Sequence, residues 1–152
     1  MKGNLEIEII GYVRSPHTRK ADIPKGLGAK HVAKGIVEVL PQFEDGLKDI
    51  DGFSHLFILW IFHQAQDYNL VGKPPCDDRS HSVFATRSPR RPNPLGLTVV
   101  ELMRRERNQL FVCGIDMLDG TPVVDIKRYM SGVSKYKLKR GWLQEVEEKN
   151  KE

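Results

Sequence analysis

Cysteine is scarce: Cys76 and Cys113 are the only two in 152 residues, and they form no CxxC pair. They read as two unrelated thiols in a reducing compartment rather than as a disulfide framework. Long apolar runs are missing as well. The most apolar stretch, residues 56–62, is about a third of what a membrane helix needs, so no membrane partner is expected. Residues 1–4 lead straight into a strand-like run and do not read as a signal peptide, which points to a cytoplasmic protein. No GxGxxG follows a strand, since residues 26–28 offer only GLG. That excludes the usual dinucleotide fingerprint. Strands and helices do not alternate, which argues against a doubly wound sheet. There are no internal repeats and no low-complexity segment. His55 and His63 share a face of one expected strand, but eight residues at ~3.3 Å each hold them too far apart to share an ion. No metal site is expected.

What is present suits one globular domain spanning residues 1–152. Hydrophobic residues make up 39% and charged residues 29%, enough for a single sizeable core. The net charge of +4 is compatible with RNA and does not require it. Basic residues cluster at 87–91, 104–107 and 135–140, and the last dozen residues turn acidic. Period-two alternation predicts a half-buried strand over residues 5–13, and a second strand is expected over 31–40. Phe43, Leu47 and Ile50 fit a short helix within 41–51, ended by Gly52. Residues 54–63 read as a strand buried on both faces, and 66–79 as a polar loop. Strands are expected at 83–86 and 95–105. Residues 110–117 should return as a hairpin after a turn at Asn108 and Gln109. A short strand at 123–126 and a terminal helix at 142–148 complete the chain. The expected fold is mainly β: a small barrel of about seven mostly antiparallel strands with one or two short helices, closed so that no edge is left exposed.

The rest is organised around residues 82–102, SVFATRSPRRPNPLGLTVVEL. Pro89, Pro92 and Pro94 stiffen the loop and restrict the residues before them. Arg87, Arg90 and Arg91 are thereby held in place before any ligand arrives, at little ordering cost on binding. Arginine pairs bidentately with carboxylate or phosphate. The loop therefore reads either as an anion-recognition element or as a proline-rich surface loop with ordinary salt bridges.

The segment ATRSPRRPNPLGLTVVEL closely resembles the signature of the TsaA-like family, also called TrmO-like or VirR-like. Four more segments match that family in order: GYVRSP at 11–16, GFSHL at 52–56, WIFHQ at 60–64 and DGTPVVDIKRY at 119–129. The resemblance implies a small β-barrel that binds S-adenosyl-L-methionine. It also implies methylation of N6 of threonylcarbamoyladenosine next to the anticodon, with the tRNA anticodon stem-loop as partner, and a homodimer with the cofactor near the subunit interface. Cofactor contacts are implied at His63 and Gln64, at the turn Asp119, Gly120, Thr121 and Pro122, and at Pro24, Lys25 and Gly26. At this last segment the family has a Pro-Arg-Gln type sequence. Lys25 cannot reproduce the planar fork of arginine, leaving contact through the backbone. Arg87 is expected to orient the cofactor with Leu97 packed beside it.

The expected chemistry is an in-line displacement that needs positioning and no nucleophilic side chain. The accepting nitrogen must shed a proton, and Asp119, Asp125 and Tyr129 are the candidate bases. Asp125, Lys127 and Tyr129 share one face by parity, as pocket groups or as a salt-bridged edge. Arg90, Arg91, Lys127, Lys137, Lys139 and Arg140 are the candidate RNA contacts. Longer family members carry a further C-terminal domain, and the basic stretch 135–140 is expected to stand in for it. Two other readings remain open at this level. One is S-adenosylmethionine-dependent methylation of another RNA or of a small molecule. The other is a non-catalytic module that senses the cofactor or binds RNA.

Overall fold

The computed structural model describes residues 3–24 and 32–151. In chain order its strands are β1 (Gly11–Arg14), β2 (Lys34–Val39), β3 (His55–Ile61), β4 (Val71–Gly72), β5 (His81–Ser82), β6 (Leu95–Glu106), β7 (Gln109–Cys113) and β8 (Pro122–Arg128). One helix, α1 (Trp142–Asn150), follows. Six strands close an antiparallel barrel in the order β1-β2-β7-β6-β3-β8, and β4 with β5 forms a separate hairpin. Each barrel strand sends alternate side chains inward, as period-two geometry requires. Val13, Val37, Leu56, Ile58, Trp60, Val100, Leu110, Val112 and Val123 meet in one core. No helix among the described residues is long and apolar enough to cross a membrane.

Four expectations are corrected. Residues 5–9 alternate without a partner strand; Leu5 and Ile7 stay exposed. The ladder begins only at Ile10, whose N–H donates to the Val123 carbonyl at 2.9 Å. Residues 83–86 do not form a strand: Val83–Ala85 is a single 3-10 turn. The barrel therefore has six strands rather than seven. The third correction concerns β3, which is buried on one face only. Leu56, Ile58 and Trp60 point into the core, whereas Phe57, Leu59 and Ile61 face outward and are half-covered, with the Tyr129 ring 5.2 Å from that of Phe57. Finally, the helix expected at 41–51 is two 3-10 segments, Pro41–Leu47 and Ile50–Gly52, interrupted at Asp49 with φ 70°. Phe43, Leu47 and Ile50 still face the core as their spacing suggests.

Inside the barrel, Gly96 lies opposite Trp60. A Cβ at Gly96 would overlap the indole ring, which is pinned by its N–H to Thr98 Oγ1 at 3.0 Å. Thr98 in turn donates to Asp116 at 2.6 Å. The ring cannot yield without breaking this chain of bonds. Gly96→Ala should therefore destabilise the fold by ~1–3 kcal/mol through overpacking. Urea unfolding of the variant against the parent checks it.

Candidate active site

Antiparallel closure sorts the loops between two ends. β1, β3 and β7 finish at the same end where β2, β6 and β8 begin. That rim gathers segments far apart in sequence. The turn after β3 places His63 and Gln64 there, both exposed. Phe62 N–H donates to Pro94 O at 2.7 Å, which ties this turn to the end of the arginine loop. The register pairs Ile61 with Leu95 and Trp60 with Val123. The 119–122 turn that leads into β8 is thus the neighbour of the β3 end on its other side.

The 119–122 turn has Gly120 at φ 80°, a left-handed conformation that suits glycine. Thr121 is buried and donates to Leu118 O at 2.6 Å. Asp119 is exposed, and its carboxylate accepts the Ser15 N–H at 2.9 Å. Its own N–H donates to His17 O at 2.8 Å. His17, buried, places Nε2 3.1 Å from Ile115 O. The exit of β1 and the entry to β8 are thus knotted together. Beside them lies an open cleft of about 520 Å³ lined by Arg14, Lys34, Phe111 and Asp119. Pro24 is half-buried on the segment between β1 and β2. Lys25 and Gly26 lie outside the described residues.

The arginine loop is braced from within. Arg87 donates to the Leu97 carbonyl, so the structure brings together the two residues that the sequence reading paired. Arg91 braces the loop through one nitrogen of its guanidinium. It is half-buried, and its Nη1 donates to Thr86 O at 3.0 Å and to Ser88 O at 3.3 Å. These bonds help close the loop, where three prolines remove backbone donors. Arg90 remains exposed, with no carboxylate partner among the described residues.

Two candidate bases lie outside the cleft lined by Asp119. Asp125 is engaged by Lys127 at 2.9 Å on the outer wall, as a salt-bridged edge. Tyr129 follows the last residue of β8, roughly 23 Å from the turn at ~3.3 Å per residue. Its ring packs on Phe57 at 5.2 Å, at the opposite end of the barrel. Of the three carboxylate and phenol candidates, only Asp119 lines the rim cleft. Arg140 is likewise committed, to Glu147 of α1. Arg104 caps Phe111 at 3.8 Å and pairs with Glu106, so this basic cluster is also engaged. Among the described residues no three His, Cys, Asp or Glu side chains gather as a metal site.

Sequence reading missed the prop behind the arginine loop. His81 stacks on Trp142 at 4.1 Å and 14°, and bonds Asp77 at 2.7 Å. Arg79 bridges Asp77 and Glu145, and the Trp142 N–H donates to Ala85 O at 2.8 Å. The hydrogen bond from His81, and then those from Arg79, hold Asp77 down to about 2, from 3.8. A depressed carboxylate adds stability that is complete above its unfolded value and is lost as pH falls through the folded one. Between about pH 4 and pH 2, α1 should therefore release from the hairpin, with a change in Trp142 fluorescence. Asp77→Asn should abolish the part of that transition that belongs to this site. Retention of the full transition in the variant would place the acid sensitivity elsewhere.

Comparison with known proteins adds a family. The family model described as tRNA-methyltransferase O N-terminal domain matches residues 12–135. A probable S-adenosyl-L-methionine-binding protein of Archaeoglobus fulgidus is 44% identical over 149 residues, 97% of this chain and 40% of its own. The tRNA (adenine(37)-N6)-methyltransferase of Escherichia coli is 36% identical over 137 residues, 84% of this chain and 58% of its own. The crystal structure of TrmO from Pseudomonas aeruginosa superposes with a TM-score of 0.74 at 35% identity, covering 93% of this chain and 62% of that one. The chain thus spans from two fifths to about three fifths of the length of these relatives. A matched segment of 124 residues, together with the six-strand barrel, decides the matter: the chain belongs to the TrmO family, whose N-terminal domain model it matches.

Proposed function

We propose that the rim binds S-adenosyl-L-methionine and that the protein transfers its methyl group to N6 of threonylcarbamoyladenosine beside a tRNA anticodon. The observation that carries this is the convergence of His63–Gln64, Arg87 with Leu97, and the Asp119 turn on one end of the barrel. Relatives named as S-adenosyl-L-methionine-binding proteins and as a tRNA (adenine(37)-N6)-methyltransferase support it.

The residues present fit such a cofactor. Its amino-acid tail carries a carboxylate, for which a guanidinium fork is the natural partner. Leu97 offers an exposed apolar face beside Arg87. The Gly120 turn and the Asp119 carboxylate supply polar groups for an ammonium or a ribose. When bound, the cofactor supplies a methyl already activated by its positive sulfur. The chain supplies position and a place for the proton. Asp119 lines the rim cleft, so it is assigned the proton that leaves the accepting nitrogen. Arg90, exposed on the rigid loop, is assigned a phosphate.

The outer faces of β3 and β6 support a homodimer. Phe57 pairs with Val99, Leu59 with Leu97 and Ile61 with Leu95, and the β6 members of these pairs are about two-fifths exposed. A contiguous apolar patch of this kind marks an association surface, and it borders Arg87. We assign the working protein as a dimer through this patch. The test is turnover. Purified protein with S-adenosylmethionine should yield S-adenosylhomocysteine when tRNA carrying threonylcarbamoyladenosine is added, and none with tRNA lacking it. Product with a small molecule alone, or none with any RNA, would reject this reading in favour of the other two.

A further inference from the structure

Between β8 and α1 the chain runs as an exposed arm. Every residue from 127 to 141 is exposed. The arm is nevertheless pinned at both ends. At its start, Tyr129 N–H donates to His55 O at 3.1 Å and the Tyr129 ring lies on Phe57. At its end, Arg140 pairs with Glu147, and the Trp142 indole is bonded to Ala85, two residues before Arg87. The arm thus leaves the far end of the barrel and finishes beside the arginine loop. Midway, a turn closes with the Lys137 N–H on Ser134 O at 2.9 Å. On that turn stands Tyr136, 98% exposed, with Lys135 and Lys137 as its chain neighbours. Residues 126–144 contain six basic side chains and no Asp or Glu. Lys135, Lys137 and Lys139 meet no carboxylate among the described residues.

A phenol ring held bare in water gains nothing from burial within the chain. An aromatic ring between cations is instead the pattern that stacks an unpaired base while lysines hold the flanking phosphates. We propose that the 130–139 arm is a single-stranded RNA track in which Tyr136 stacks an unpaired nucleotide. Because it ends at the arginine loop, RNA laid along it is delivered to the rim. A duplex offers no free base face, so the arm discriminates for loop nucleotides. The proposal rests on the tRNA reading above, and it moves the recognising residue from the charged side chains to an aromatic one. Arg140 serves as the anchor of the arm rather than as a phosphate contact.

The test is fluorescence anisotropy of the full chain with a labelled anticodon stem-loop, and with a blunt duplex of equal length. Tyr136→Ala should weaken stem-loop binding by about ten-fold, with the slope of log affinity against log salt unchanged. Tyr136→Trp should restore affinity. Replacing Lys135 and Lys137 together by Gln should reduce the slope by about 1.4, at ~0.7 per single-strand phosphate. Duplex binding should not respond to Tyr136→Ala. Wild-type affinity in Tyr136→Ala, with cofactor-dependent turnover intact, overturns the arm and leaves the methyltransferase reading standing. If the parent protein binds no RNA although it binds cofactor, both fall. A change in oligomeric mass in place of RNA affinity would reassign the turn to a protein interface and overturn the proposal.

Discussion

Asp119→Asn should lower methyl transfer to tRNA by about 10²–10⁴-fold at saturating cofactor, the range for loss of a positioned general base. The substitution is chosen for what it keeps. Asp119 accepts the Ser15 N–H through one side-chain oxygen, and an asparagine retains an oxygen that can accept that bond. The knot between the β1 exit and the 119–122 turn therefore survives, and the barrel should melt at nearly its original temperature. What disappears is the negative charge in a cleft otherwise lined by Arg14 and Lys34. Asp125 is held by Lys127 on the outer wall, and Tyr129 belongs to the far end, so neither is placed to substitute within the chain. Near-normal turnover in Asp119→Asn, with loss only in Asp119→Ala, would make the residue a brace for the turn and not an acceptor of the proton.

Trp142→Ala should release α1 and loosen the arginine loop with it. The variant loses a stacked ring pair, worth ~0.5–1.5 kcal/mol, and a hydrogen bond of similar size. The sum, about 1–3 kcal/mol, corresponds to a fall in Tm of roughly 3–10 °C for a chain of this length. The indole N–H reaches Ala85, and Arg87 is two residues beyond, so the loss should extend to the cofactor and weaken its binding about five-fold or more. Trp142→Phe separates the parts, since it keeps the stack on His81 and drops only the bond to Ala85. A drop in Tm with unchanged cofactor affinity would confine α1 to a stabilising role.

The arginine loop could be read from sequence because its cause is local: three prolines and three arginines within eight residues restrict the backbone wherever they occur. The long strand β6 was equally legible, since Gly96, Thr98 and Val100 alternate with residues that stay outside. The short run at 83–85 is a 3-10 turn and not a strand, and its three apolar residues fit either equally well. Residues 5–9 have the alternation of a strand, but a strand also needs a neighbour, and only the fold supplies one. Parity placed Asp125, Lys127 and Tyr129 on one face correctly. It carries no information about which end of a barrel each residue occupies, and that separates Tyr129 from Asp119. The prop of Asp77, Arg79, His81 and Trp142 joins segments about sixty residues apart. Nothing in either segment alone foretells the other.

The central claim is that the rim gathered from three segments is a cofactor site, and calorimetric titration with S-adenosylmethionine tests it most directly, with ATP as control. The account predicts saturable binding near one site per chain, absent for ATP and weakened in Arg87→Ala. No heat of binding at millimolar S-adenosylmethionine would contradict it, and the arginine loop would then be a phosphate- or RNA-binding element on a barrel without methyl-transfer activity.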